Sequence, residues 1–158
     1  MHKISIKRIV VAFLVCLSAV APAGLAQSGA KGTDQKNYKL SMEKIKAYDS
    51  AMVKMTALFA ADPGLQNSVM EAMKKGGVVA AFESNQKTMA VIKASGISAQ
   101  ELLTIPWCVQ ITASGYNSQS QGTAMDAMVS QENIAFYVKN KVEIDRIMKG
   151  WEARQGGK

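Results

Sequence analysis

Ile45, Tyr48, Met52, Met55 and Phe59 recur at alternating steps of three and four residues, a spacing that an α-helix gathers onto one face. Lys44, Lys46, Asp49 and Lys54 fall off that stripe. A strand would need a period of two, and no stretch of the chain alternates apolar and polar residues in that way. The stripe, with Ser41 placed to cap it, commits the chain to helices packed on one another. The reading that follows is an all-α fold, a single bundle of about five helices.

Boundary signals divide the rest. In Asp62-Pro63 an N-cap residue precedes a proline at the first helical position, where the missing N–H has no partner to lose. The helix it opens carries Leu65, Val69 and Met73 and is predicted to stop at Gly76-Gly77. A third is predicted from Val78 to Ser95, through Phe82, Met89 and Ile92, with Gly96 as its C-terminal stop. Ser98-Ala99-Gln100-Glu101 is a capping box: the Ser98 hydroxyl accepts the Glu101 N–H, and the Glu101 carboxylate accepts from Ser98. Ile97 and Leu102 form a hydrophobic staple around it, and such a cap contributes about 1 kcal/mol. The fourth helix is apolar through Leu102, Leu103, Ile105, Trp107, Val109 and Ile111. It is therefore expected to be central and buried, kinked or split at Pro106, which removes one ladder hydrogen bond. Tyr116 to Thr123 is polar and reads as a loop. Ser130 caps a last helix from Gln131 to about Trp151, with Ile134, Tyr137, Val138, Ile144, Met148 and Trp151 as its apolar face. Lys141–Asp145 and Asp145–Lys149 are four apart, the spacing of pairs along an exposed helix margin.

The first 26 residues read as a secretory signal peptide: Lys3, Lys7 and Arg8, an apolar run from Ile9 to Val20, then small residues up to Ala26. The apolar run is about a dozen residues, short of the ~20 that span a bilayer. Val15 before Cys16 argues against lipoprotein processing, which needs a small residue there. Cleavage after Ala26 leaves 132 of the 158 residues, a one-domain length. Residues 27–39 are polar, rich in Gly and Lys, and read as a flexible tail, with the helical domain over 40–154. The expected product is periplasmic or secreted, with no stable membrane insertion.

Cleavage also removes the chain's one histidine, His2, together with Cys16, and leaves Cys108 as the remaining cysteine. Ser-His-Asp and Cys-His triads cannot be assembled without an imidazole, and a zinc site with one thiol lacks ligands. Gly76-Gly77 has neither the Walker nor the dinucleotide-binding spacing. A carboxylate pair of the glycoside-hydrolase kind is the remaining catalytic route. Glu101 is already used by its cap, and Asp126 and Glu132 flank a helix start, where the dipole favours them. The chain therefore reads as non-enzymatic, with a carboxylate-based hydrolase ranked third. Losing Lys3, Lys7 and Arg8 takes three positive charges away and lowers the formal net charge from +7 to +4. The basic residues that stay are scattered, not gathered on a stripe, so no nucleic-acid partner is expected.

Nine of the ten methionines survive cleavage, and six of them form three pairs: Met52 with Met55, Met70 with Met73, and Met125 with Met128. Three apart on a helix, the members of a pair share a face, and thioethers are soft ligands suited to Cu(I). Met is equally a flexible filler of irregular cores, and Met52, Met55 and Met73 lie on stripes that should pack inward. Core filling is therefore the first reading and Cu(I) binding the alternative. Trp107, near the Pro106 kink, and Phe136, on the outer side of the last helix, are the candidates for an apolar groove that takes a hydrophobic ligand or a protein segment.

Ser130-Gln131-Glu132-Asn133-Ile134-Ala135-Phe136, followed by Asn140 and Glu143-Ile144, resembles the closing helix of small exported helical proteins of proteobacteria that are uncharacterised. Ala94-Ser95-Gly96-Ile97-Ser98, leading into an apolar helix, is similar to them as well. The resemblance covers about the last two thirds of the mature chain. It implies a small exported α-helical domain and carries over no catalytic or binding residue. Sequence and resemblance together point to a binding or interaction module of the cell envelope with an unidentified protein or hydrophobic partner and no assigned cofactor.

Overall fold

A computed structural model of the protein describes residues 37–120 and 129–155. The predicted signal peptide, most of the predicted tail and the third methionine pair, Met125 and Met128, lie outside them. Within them the fold is all-α, five helices and no strand: α1 Met42–Ala61, α2 Pro63–Glu83, α3 Gln86–Ala94, α4 Glu101–Ser120 and α5 Gln131–Gln155.

α1 begins where Ser41 accepts the Lys44 N–H at 3.2 Å. Its stripe behaves as the spacing requires, with Ile45, Tyr48, Met52, Met55 and Phe59 all buried. Asp62 ends this helix and starts the next: its N–H donates to Leu58 O, and its Oδ1 accepts the Leu65 N–H at 3.0 Å. α2 is interrupted at Gly77, whose φ of 80° and ψ of 175° lie in a region essentially closed to other residues. The expected stop is thus a sharp break, after which the chain resumes a helical path to Glu83.

The third predicted helix is two. Asn85 interrupts the span from Val78 to Ser95 and accepts the Lys87 N–H at 2.9 Å and the Thr88 N–H at 3.4 Å, opening α3. The Thr88 hydroxyl, fully buried, closes the corner by donating to Phe82 O at 2.7 Å. α3 then ends at Gly96, with φ of 75°.

The Ser98 capping box forms as its spacing predicts: Glu101 N donates to Ser98 Oγ at 3.1 Å, and Ser98 N donates to Glu101 Oε2 at 2.8 Å. Lys44 and Tyr38 also converge on this carboxylate, Tyr38 Oη donating at 3.0 Å and Lys44 Nζ lying 3.1 Å away. Burial opposes the charge on Glu101, but the Ser98 N–H, the Lys44 ammonium and the Tyr38 hydroxyl outweigh it. Together they hold the carboxyl below its ordinary value of 4.5. A group whose folded pKa is depressed stabilises the fold above its unfolded value, and that contribution is lost as pH falls through the folded one. Stability is therefore expected to decline below about pH 4.5. Glu101→Gln should remove part of that acid-side slope and cost about 1 kcal/mol at neutral pH. Urea unfolding of both proteins between about pH 3 and pH 7 checks this; identical slopes would refute it.

α4 is neither split at Pro106 nor ended at Tyr116; it runs on to Ser120, so the predicted loop is helical over its described part. Nor is α4 the centre of the bundle. α1 touches all four other helices, whereas α4 packs on α1 and α5. One side of α4 is buried (Leu102, Ile105, Cys108 and Val109), while Leu103, Trp107 and Ile111 are half-buried.

α5 starts at Ser130, whose hydroxyl accepts the Asn133 N–H at 3.1 Å. Its buried stripe is Asn133, Ile134, Tyr137, Ile144, Ile147 and Trp151. Ile134, Tyr137, Ile144 and Trp151 are buried as the spacing predicts and Met148 is half-buried; the face is widened toward Ile147, and Val138, about 100° round the helix from Tyr137, is 50% exposed. No described helix is long and apolar enough to cross a membrane.

Candidate interaction surface

The residues singled out for chemistry are mostly occupied by structure. Met52 and Met55 lie within the core at 5% and 1% exposure, while Met70 and Met73 are half-buried against it. The Cu(I) alternative needs sulfurs of different helices to converge. For Met125 and Met128 that question falls outside the described residues; Met52 and Met55 are held by the apolar stripe of α1, as core filling requires. Cys108 is a buried thiol whose burial pushes its pKa up to about 12, so it packs as a small hydrophobe instead of reacting as a thiolate. No group of three or more His, Cys, Asp and Glu side chains among the described residues could hold a metal ion.

Several of the carboxylates are held in structural pairs. Asp62 caps α2 and meets Lys87 at 2.7 Å; Glu71 meets Lys74 at 2.6 Å; Glu143 on α5 meets Lys46 on α1 at 2.8 Å. Glu132 pairs with Lys39 at 3.1 Å on the open surface. Asp145 accepts from Tyr137 Oη at 2.6 Å and pairs with Lys141, one of the two α5 pairs read from the sequence. Burial opposes the Asp145 charge, but Lys141 and the Tyr137 hydroxyl hold its carboxyl below the usual range. Asp62, Glu71, Glu101, Glu143 and Asp145 are all held below the ordinary carboxylate range, the opposite of the raised value a general acid needs.

Trp107 and Phe136 are half-buried and pack against the core. Phe136 therefore does not stand out on the far side of α5 as the sequence predicts, because the buried stripe is widened toward it. Two buried polar atoms, Gln66 Nε2 and Thr112 Oγ1, have no hydrogen-bond partner among the described residues, but they belong to α2 and α4, which do not touch.

The orientation of α5 that sets Phe136 against the core leaves other residues out. Val142 is 87% exposed and Val138 50%, one helical turn apart, with exposed Ala135 extending the ridge. Lys139, Arg146 and Lys149 border it, exposed and without an ion pair among the described residues. An open depression of about 440 Å³ lies over the ridge itself, lined by α5 residues alone from Val138 to Arg146, Val142 among them. Next to it, a groove of about 370 Å³ between α1 and α5 is lined by Lys46, Asp49, Ser50, Ile147, Gly150 and Arg154. Glu143 and Arg146 belong to both. Ser50 and Gly150 supply little side-chain bulk, which leaves room between the helices.

The groove's own ions are satisfied. Lys46 is engaged by Glu143, and Arg154 by Asp49, which also accepts from Trp151 Nε1 at 2.9 Å. Lys46 holds the Glu143 carboxyl below its usual range. Arg146 also helps to hold the Glu143 charge but makes no close ion pair among the described residues, and is the cation best placed to meet an incoming anion. The sequence gives Val142 no signal of its own, because it sits between Lys141 and Glu143 on what reads as a polar margin. No family model, curated protein or solved structure matches the chain.

Proposed function

We propose that the protein is an exported, non-enzymatic binding module of the cell envelope that engages its partner through the outer face of α5. The 87% exposure of Val142, beside Val138 and bordered by unpaired cations, carries this reading. A single exposed valine is ordinary on a protein surface. Here two lie on consecutive turns of a helix whose opposite side is fixed in the core by Tyr137, Ile144 and Trp151, so the face is presented rigidly. Export is supported by the basic start, apolar run and small residues of the first 26 positions. The absence of histidine from the mature chain and the structural pairing of Asp62, Glu71, Glu101, Glu143 and Asp145 support a role without catalysis.

A photocrosslinking residue placed at 142, and in a second variant at 138, tests the reading in intact cells, with position 53 on α1 as control because Val53, 48% exposed, matches Val138 at 50%. Discrete adducts are expected from 142 and 138 and none from 53. No adduct from 142 or 138, or the same adducts from 53, would overturn it.

A further inference from the structure

The chemistry around Val142 specifies what kind of partner the face accepts, an inference that rests on the reading of α5 as the working surface. Ala135, Val138 and Val142 repeat at steps of three and four, the seam spacing by which one helix packs along another. Their side chains are small, so the second backbone can approach closely. Lys139 and Arg146 flank the seam on one side, where flanking charges select the partner of a helix pair, and Lys149, seven residues after Val142, closes the seam at its C-terminal end. Other cations without ion pairs among the described residues, Lys54 on α1, Lys75 on α2 and Lys93 on α3, are distributed one to a helix. On α5 they are gathered round an exposed apolar pair, and Arg146 lines both the open surface over that pair and the groove between α1 and α5.

We propose that this face takes an acidic amphipathic helix of a partner protein, laid along α5 with small apolar side chains on Val138 and Val142 and carboxylates at Lys139, Arg146 and Lys149. A second copy of this chain is a poor occupant, because it would bring two such sets of unpaired cations together. A lipid surface is poorly matched too. Interfacial helices insert Trp, Phe or Leu, and this ridge offers Ala and Val.

The probe is a pair of synthetic amphipathic helices of about 21 residues, three heptads. They share an Ala/Leu seam; one carries Glu at its flanking positions, the other Lys. Binding to the purified protein is read by fluorescence anisotropy. The Glu peptide is expected to bind at least about tenfold more tightly than its Lys twin, and to weaken several-fold between about 20 mM and about 500 mM salt. Val142→Asp should lower that affinity about tenfold, as should the combined Lys139→Glu, Arg146→Glu and Lys149→Glu variant. Lys54→Glu, Lys75→Glu and Lys93→Glu together, an equal charge change off α5, should alter it less than about twofold. Equal loss in that control, or none with Val142→Asp, would overturn the proposal as mere net-charge attraction. Stronger binding to vesicles of phosphatidylcholine with about 30% phosphatidylglycerol, or self-association abolished by Val142→Asp, would overturn it in favour of a membrane or a second copy. Position-142 crosslinks in cells alongside a failed peptide test would sink the acidic helix while leaving the face in use; no crosslinks would sink the face itself.

Discussion

Replacing Trp151 by alanine is expected to destabilise the protein by about 3–5 kcal/mol, the range for emptying a buried aromatic site. Trp151 is 7% exposed near the C-terminal end of α5, where its ring meets the edge of Tyr48 with centroids 4.9 Å apart and planes at 75°. Its Nε1–H donates to Asp49 Oδ1 at 2.9 Å, and Arg154 reaches the same oxygen. Tyr48 and Asp49 are both on α1, so one side chain makes both an apolar and a polar contact between the central helix and the last, beside the Lys46–Glu143 and Arg154–Asp49 pairs. Small domains are stable by only about 5–15 kcal/mol, so the loss is a large share of the total. Trp151→Phe retains ring bulk but not the N–H and should cost about 1–2 kcal/mol. Urea denaturation followed by circular dichroism measures both, with the midpoint expected to fall and the slope to stay constant. A loss below about 1 kcal/mol for the alanine variant would mean that this join does not hold α5 to α1.

What the sequence makes legible here is whatever short-range rules decide. The Ser41 and Ser98 caps, the shared Asp62 corner and the α1 stripe each depend on residues within a few positions, and each forms as read. Failures begin where a distant contact overrides a local cue. Tyr116 to Ser120 is polar enough to be a loop. Yet α4 extends through it, with the Tyr116 ring 5.6 Å from that of Tyr137 on α5. Gly115 permits close packing there, since a Cβ at that position would meet Val129 Cγ2 at 3.1 Å. The split at Asn85 is different: its signal is local, an Asn three residues before Thr88, but the apolar period from Phe82 to Met89 runs across the break and masks it.

The candidate site was hidden by the same kind of long-range choice. Apolar residues of α5 are numerous enough to support more than one buried face, and only packing against α1 and α4 selects among them. Ile147 and Asn133 go in; Val138 stays out; Phe136 moves from the expected surface to the margin of the core. Val142 then becomes informative through its surroundings: cations without close ion pairs among the described residues and two depressions that share Arg146. The Met pairs illustrate the reverse. Their spacing is conspicuous in the sequence, but for Met52 and Met55 the helical stripe already accounts for it, and both are buried.

Asn133→Ala is expected to cost about 2–4 kcal/mol and to release the chain segment before α1, since truncation leaves a carbonyl and an N–H in an enclosed place without partners and each such orphan costs about 1–3 kcal/mol. The Asn133 side chain, 4% exposed, reads that segment's backbone from both sides: Nδ2 donates to Tyr38 O at 2.8 Å and Oδ1 accepts the Leu40 N–H at 3.0 Å. The sequence assigns Tyr38 and Lys39 to the tail, yet Tyr38 is tied down here and through its hydroxyl to Glu101, and Leu40 is buried. Asn133→Asp should be at least as damaging at neutral pH, because it sets a carboxylate oxygen against the Tyr38 carbonyl while keeping the acceptor for Leu40. Amide exchange separates this account from a general loss of packing. In Asn133→Ala the Leu40 N–H should lose protection well before the amides of Ile45 and Tyr48 on α1, since it no longer has an acceptor while the α1 ladder is intact. Unchanged protection at Leu40 would show that the segment is held by its apolar contacts alone.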